Sequence, residues 1–105
     1  MAASKVIVAV VGYTGGVGQC LLSAMKKIDL KPFALVRSKT MKVDDEDDIS
    51  VDFALLSERL IAASKSSGKV PVIADVTASG TLQEEHYKNW LSQGISVVAG
   101  ASTFA

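Results

Sequence analysis

A run of apolar, mostly β-branched residues, Val6 to Val11, leads directly into "GYTGGVG", Gly12 to Gly18. No other feature constrains the fold as strongly as this junction. A continuous apolar run suits a strand covered on both faces, as in a parallel sheet. Beyond the glycines, Val17, Leu21, Ala24, Met25 and Ile28 recur at helical spacing. Lys26 and Lys27 stand near the end of that helix, where its dipole favours cations. A strand, a glycine turn and a helix in succession predict the start of a βαβ unit.

The same alternation continues along the chain. "PFALVRS", Pro32 to Ser38, reads as a second strand, with Pro32 at its start where a missing N–H is tolerated. Residues 39–50 change character, and "DDEDD", Asp44 to Asp48, has no apolar face, so a solvated loop is expected there. Asp52 is placed to cap a helix over Phe53 to Lys65. Phe53, Leu56, Leu60 and Ala63 form its stripe, and Gly68 lies just past Ser66 and Ser67 as a C-terminal cap. "VPVIADVT", Val70 to Thr77, is a third strand. Thr81 and Glu84 form a capping box opening a helix through Tyr87, Trp90 and Leu91, which Gly94 ends. "ISVVA", Ile95 to Ala99, is a fourth strand.

Helices alternating with strands imply parallel pairing through right-handed crossovers. The expected class is therefore α/β, with four parallel strands in the order 2-1-3-4, counted along the sequence. In such a sheet the crevice lies at the carboxyl ends of the first and third strands. Both "GYTGGVG" and "DVTASG" are then expected to open onto one place.

Composition limits what that place can serve. With 105 residues the chain has room for a single domain, 1–105, with a small core. Its apolar share of 49% against 21% charged residues favours a folded globule over a disordered chain. Eleven basic residues balance eleven acidic ones, so no basic excess draws the chain to nucleic acid or an anionic membrane surface. The lone Cys20 allows neither an intramolecular disulfide nor a cysteine metal cluster, and a buried thiol is expected. That fits a reducing compartment: the cytoplasm, or a plastid if a transit peptide has been removed. No apolar stretch approaches the roughly 20 residues of a membrane span.

The glycine spacing is Gly12-x-x-Gly15-x-x-Gly18, with Gly16 beside the second. The stricter GxGxxG pattern would need glycine where Thr14 stands. The demands on the backbone are alike. Gly12 permits a tight turn out of the strand. Gly15 or Gly16 lets a pyrophosphate approach, and Gly18 allows close contact between helix and strand. The helix N-terminus beyond offers unpaired N–H groups to phosphates. The expected ligand is a dinucleotide, held by Gly12, Tyr13, Thr14, Gly15, Gly16, Val17 and Gly18. The bland alternative is a glycine-rich turn with no ligand. At the end of the second strand, where an NAD site carries an acid for the ribose 2′-OH, this chain has Arg37 and Ser38. A guanidinium there can pair with a 2′-phosphate, so NADP(H) is favoured over NAD(H). Otherwise Arg37 is a solvated charge. His86 and Trp90 read as structural, and Tyr13 either covers a cofactor or packs. No catalytic residue and no metal ligand set is assigned.

The segment "VIADVTASGTLQEEHYKNWLSQGISVVAG" resembles the end of the nucleotide-binding domain of homoserine dehydrogenases. The matching residues are Asp75, Thr77, Ala78, Ser79, Tyr87, Trp90, Gly94, Ile95, Val97 and Val98. The resemblance implies a Rossmann-type doubly wound domain and hydride transfer between aspartate semialdehyde and homoserine with NAD(P)H. It also implies that Gly12 to Val17 hold the pyrophosphate and that Thr77 to Ser79 lie near the nicotinamide. The glycine loop is similar as well to that of aspartate-semialdehyde-type dehydrogenases and extended short-chain reductases, which account less well for "DVTAS" and "GISVV". The chain departs from the family where it should read Thr-Pro-Asn-Lys-Lys. Here Ala101, Ser102 and Thr103 fill the Asn-Lys-Lys positions. A hydroxyl titrates far too high to replace a tuned lysine, and the family's substrate half would follow this point. The expectation is a domain that holds cofactor without turning over substrate alone. Its expected partners are the dinucleotide and, for an exposed final strand, a second copy or the missing substrate half. The competing expectation is a stand-alone nucleotide-binding regulatory or interaction module.

Overall fold

In the computed structural model, which describes residues 5–77 and 82–99, the Val6–Val11 run forms strand β1 inside a six-stranded sheet. Helix α1 (Gly16–Lys27) follows, then β2 (Ala34–Val36), β3 (Thr40–Val43) and β4 (Ile49–Ser50). Helix α2 (Phe53–Ser67) leads to β5 (Val70–Asp75). A π-helical turn, Gln83–Tyr87, runs on into α3 (Lys88–Ser92) and β6 (Ser96–Ala99). The sheet order is β4-β3-β2-β1-β5-β6. β1 is parallel to β2 on one side and to β5 on the other, with Val11 opposite Val36 and Asp75. β6 continues the parallel set beside β5.

Because side chains alternate across a strand, β1 feeds two cores. Val8 and Val10 pack with Met25 of α1 on one face. Ala9 and Val11 pack with Leu56 and Leu60 of α2 and Trp90 of α3 on the other. Helices thus cover both faces, which is why β1 is uniformly apolar.

The ends of α2 follow the local chemistry. The Asp52 carboxylate accepts from the Leu55 N–H at 3.1 Å, satisfying one of the helix's orphan donors. Gly68 ends it in the left-handed region at φ 71°. Thr81, the expected capping residue of the last helix, lies outside the described residues.

Four expectations need correction. The sheet is mixed and six-stranded: the four expected strands are adjacent and parallel in the expected order, but β3 and β4 add to them antiparallel. The residues 39–50 supply both strands. "TMKV" alternates, with Met41 and Val43 buried and Lys42 exposed, which is the pattern of a half-buried strand. The turn after it is made by Asp44 and Asp45 at φ 52° and 63°, a region aspartate tolerates better than most residues. The acidic run is exposed, as expected, and two of its acids form surface pairs: Asp45 with Lys31, and Glu46 with Arg59 of α2 at 3.0 Å. The buried stripe of α1 is also different. Gly18, Leu21, Leu22 and Met25 face the sheet, while Val17, Ala24 and Ile28 are exposed. Close contact at Gly18 fixes the rotation of the helix, as its geometry below shows. Cys20 is thereby turned to solvent, against the expected buried thiol.

Among the described residues no helix is long and apolar enough to cross a membrane.

Candidate functional site

The carboxyl ends of β1 and β5 bring the glycine loop next to Val76 and Thr77, the described start of the second expected loop. The Val76 N–H donates to the Val11 carbonyl at 2.9 Å, and the Gly12 N–H donates across to Val36 of β2 at 2.8 Å. Gly12 turns the chain out of the strand at φ 87°, a conformation that favours glycine. A Cβ there would meet Thr77 Cγ2 at 2.8 Å and Thr77 N at 3.0 Å. Thr77 therefore borders the glycine loop, as expected. Ala78 and Ser79 lie outside the described residues.

The four glycines of the loop fall into two kinds. Gly18 is as tightly constrained as Gly12. A Cβ on it would lie 2.5 Å from Tyr13 Cα and 2.6 Å from the Gly12 carbonyl oxygen. Gly15 and Gly16 meet no such demand. A Cβ on Gly15 would make ordinary contact with the Gly12 oxygen at 3.7 Å, and one on Gly16 would meet nothing within 4 Å. Gly15 adopts extended backbone that any residue can take. Neither packing nor backbone geometry within the protein calls for glycine at 15 or 16.

These two residues open α1. Gly15 is its N-cap, and no side chain caps the helix there. Its first turn holds no acid, and its last turn holds Lys26 and Lys27. A cap residue such as Ser or Asp would satisfy one of the orphan N–H groups from within. No side chain does so here, and the positive end of the dipole lies at this turn. Thr14, Gly15, Gly16 and Val17 are exposed around this point.

Arg37 stands just beyond β2, with Ser38 exposed beside it. Its Nε donates to the Tyr13 hydroxyl at 2.6 Å, joining the end of β2 to the glycine loop. That hydrogen bond, and the field of the same phenol, raise an already high guanidinium pKa. The Tyr13 ring is half-buried and packs with the Val8, Val10 and Met25 cluster, so packing is one of its roles.

The crevice wall holds a connection not expected from the sequence. Asp75 is 2% exposed at the last position of β5. Its Oδ1 accepts from the Thr77 N–H at 3.0 Å and from Thr77 Oγ1 at 2.6 Å, while Oδ2 accepts from the Tyr87 hydroxyl at 2.5 Å. The carboxylate thus fixes the loop leaving β5 and ties the π-helical turn to it. Burial, then the bond to Asp75, push the Tyr87 phenol well above its ordinary pKa. An Asp two residues before a Thr was a legible signal, since such side chains bond the backbone two positions on. The Tyr87 link was not, because it spans 12 residues and a helix.

The remaining candidates are structural. His86 stacks on Trp90, ring centres 5.4 Å apart, and packs against Phe53 at 4.7 Å. Trp90 is fully buried. Among the described residues no three His, Cys, Asp or Glu side chains are grouped to hold a metal. Two hollows lie away from the glycine loop. One of about 310 Å³ is lined by Leu22, Lys26 and Leu30, and the other, about 690 Å³, by Val43, Glu46 and Arg59. Every buried side-chain nitrogen and oxygen among the described residues has a partner, so neither hollow holds an unpaired buried polar group.

No protein-family model, no curated protein and no solved structure matches this chain.

Proposed function

We propose that this chain is a Rossmann-type dinucleotide-binding domain, that it favours NADP(H), and that it resembles the cofactor half of a homoserine dehydrogenase. One observation carries the reading: Gly15 and Gly16 have no reason within the protein to be glycine, yet they front an uncapped helix N-terminus. A bare backbone with unpaired N–H groups and a positive dipole end is what a pyrophosphate needs to approach closely. The parallel set β2-β1-β5-β6 supports it, because the loop lies at the carboxyl end of β1 between neighbours on either side.

The residues present fit such a ligand. The Gly15–Gly18 backbone would receive the pyrophosphate. Arg37 would face the adenosine ribose from the end of β2, and the Thr77 loop would border the chain leading to the nicotinamide. Bound there, a nicotinamide dinucleotide supplies hydride-transfer chemistry. The protein's own part is to bind, orient and shield: Asp75 holds Thr77, and Gly12 brings the two loops into contact. In the family resembled, the substrates are aspartate semialdehyde and homoserine, and a lysine serves proton transfer where this chain has Ala101, Ser102 and Thr103. We therefore assign cofactor binding to this chain and no turnover of substrate by itself.

Titration of the unaltered chain and of Arg37→Ala with NADPH and NADH tests the assignment. The expected result is tighter binding of NADPH by the unaltered chain and selective loss of NADPH affinity in Arg37→Ala. A preference for NADH, or equal losses for both dinucleotides, would overturn the choice of cofactor.

A further inference from the structure

We infer that Tyr13 is a specificity-determining residue: its phenol aims the Arg37 guanidinium, and the two side chains together form a donor site for a phosphate monoester, the 2′-phosphate of a bound dinucleotide. The inference rests on the reading of the glycine loop proposed above and adds to it how the adenosine end is discriminated.

Tyr13 is fixed along its whole length. Its carbonyl accepts from Gln19 Nε2 at 2.6 Å. Its Cα lies so near Gly18 that a Cβ on that glycine would be 2.5 Å away. Its ring packs with Val8, Val10 and Met25. A hydroxyl at the end of a ring so held is a fixed point at the mouth of the crevice.

Arg37 is held from the other side. Its backbone N–H donates to the Thr40 carbonyl at 2.8 Å, across the turn from β2 into β3. The antiparallel strand at this edge therefore pins the backbone from which the guanidinium reaches. The side chain itself is long and exposed, and without a partner it would sample many rotamers. The 2.6 Å bond from Nε to the phenol removes much of that freedom. The guanidinium carbon lies 5.6 Å from the ring centre. A group bonded to the hydroxyl lies towards the rim of the ring, so the hydrogen bond, more than the ring face, sets its direction.

The contact uses only Nε. Both Nη nitrogens keep their N–H groups, which form the paired end of the fork that fits phosphate. Among the described residues no carboxylate forms an ion pair with Arg37, although the charge of Asp48 acts on it from farther off. The phenol oxygen accepts from Nε and so retains its own O–H to donate. A phosphate monoester, anionic and rich in acceptors, takes donors of both kinds. A ribose diol is better served by the carboxylate that this position lacks. If Tyr13 only covered a ligand, its loss would weaken NADPH and NADH alike. If it aims Arg37, the loss falls on NADPH.

The test titrates the whole chain, unaltered and as Tyr13→Phe and Arg37→Lys, with NADPH, NADH and inorganic phosphate, followed by calorimetry. Thermal unfolding of each variant checks the fold. Tyr13→Phe keeps the packed ring and removes only the hydroxyl, so it should lose about three- to tenfold in NADPH affinity, the worth of one net hydrogen bond, and nothing for NADH. Arg37→Lys keeps the charge but loses Nε and the fork, and should lose on the NADPH side as well. Equal losses for both dinucleotides, or an unchanged ratio in Tyr13→Phe, overturn the inference and leave the cradle standing. Inorganic phosphate binding as tightly as NADPH would make this a general anion site and contradict the assignment. Failure of the unaltered chain to bind either dinucleotide overturns this inference and the cradle together.

Discussion

Gly12 and Gly18 close the two ends of one loop, while Gly15 and Gly16 form its middle. A methyl group on either end residue would strike backbone: Thr77 N at 3.0 Å for Gly12, Tyr13 Cα at 2.5 Å for Gly18. A methyl group on Gly16 would touch nothing within 4 Å. The ends serve folding, by letting strand, helix and neighbouring loop approach. The middle makes backbone hydrogen bonds, Gly15 N–H to the Gly12 carbonyl at 3.3 Å among them, but no contact there requires glycine. Glycine costs conformational entropy on folding, so a glycine that folding does not require points to something outside the chain. On the proposed function, the difference separates the part of the motif that builds the crevice from the part that would hold a ligand in it.

Alanine scanning of the loop tests this division. Gly18→Ala should cost most, about 3 kcal/mol of stability, because the clash is with backbone on two residues and α1 must shift to relieve it. Gly12→Ala should follow at about 2 kcal/mol, from the positive φ and the contact with Thr77. Urea unfolding midpoints at unchanged slope measure both. If Gly16→Ala were as destabilising as Gly18→Ala, the division of labour would be lost.

Across the crevice, Tyr87→Phe comes next. It leaves Asp75 Oδ2 buried without its donor, for about 1–2 kcal/mol. This pair also gives stability a pH signature. The Tyr87 phenol titrates above its ordinary value in the folded protein. Below the unfolded pKa of about 10 the contribution is therefore fully present, and it is lost as the pH rises above that value. Melting curves taken from neutral to strongly alkaline pH should fall more steeply for the unaltered chain than for Tyr87→Phe. Parallel curves would show that the phenol is not held as described.

Gly16→Ala should have the smallest effect on stability, no loss or a gain of up to about 1 kcal/mol, since the backbone there suits alanine. The same substitution places a methyl group where the phosphates are to lie, so dinucleotide affinity should drop while the melting temperature holds. Loss of both together would make Gly16 a structural glycine after all.

Much of this was legible in the sequence, because the relevant signals are local. The apolar run before Gly12, the Asp52 cap and the Gly68 stop depend on residues a few positions apart, and the strands they separate pair as the alternation of strand and helix implies. Residues 39–50 misled because the charge density of "DDEDD" outweighed the four-residue alternation of "TMKV". The inward face of that strand exists only because β2 offers an edge to pair with. The face of α1 misled for a related reason. Helical spacing allows more than one stripe through Val17, Leu21, Leu22 and Met25, and the choice is made by contact at Gly18, which is tertiary. Arg37 was noticed by its position. Its bond to Tyr13, 24 residues away, could come only from the fold.

The first turn of α1 is proposed to receive phosphates. Amide nitrogen–proton NMR spectra recorded during addition of NADPH test it most directly. Saturable shifts are expected at the Gly15, Gly16, Val17 and Gly18 amides of the unaltered chain, absent in Gly16→Ala at matched concentration. No shift at millimolar NADPH, or shifts confined to residues away from this loop, would contradict it.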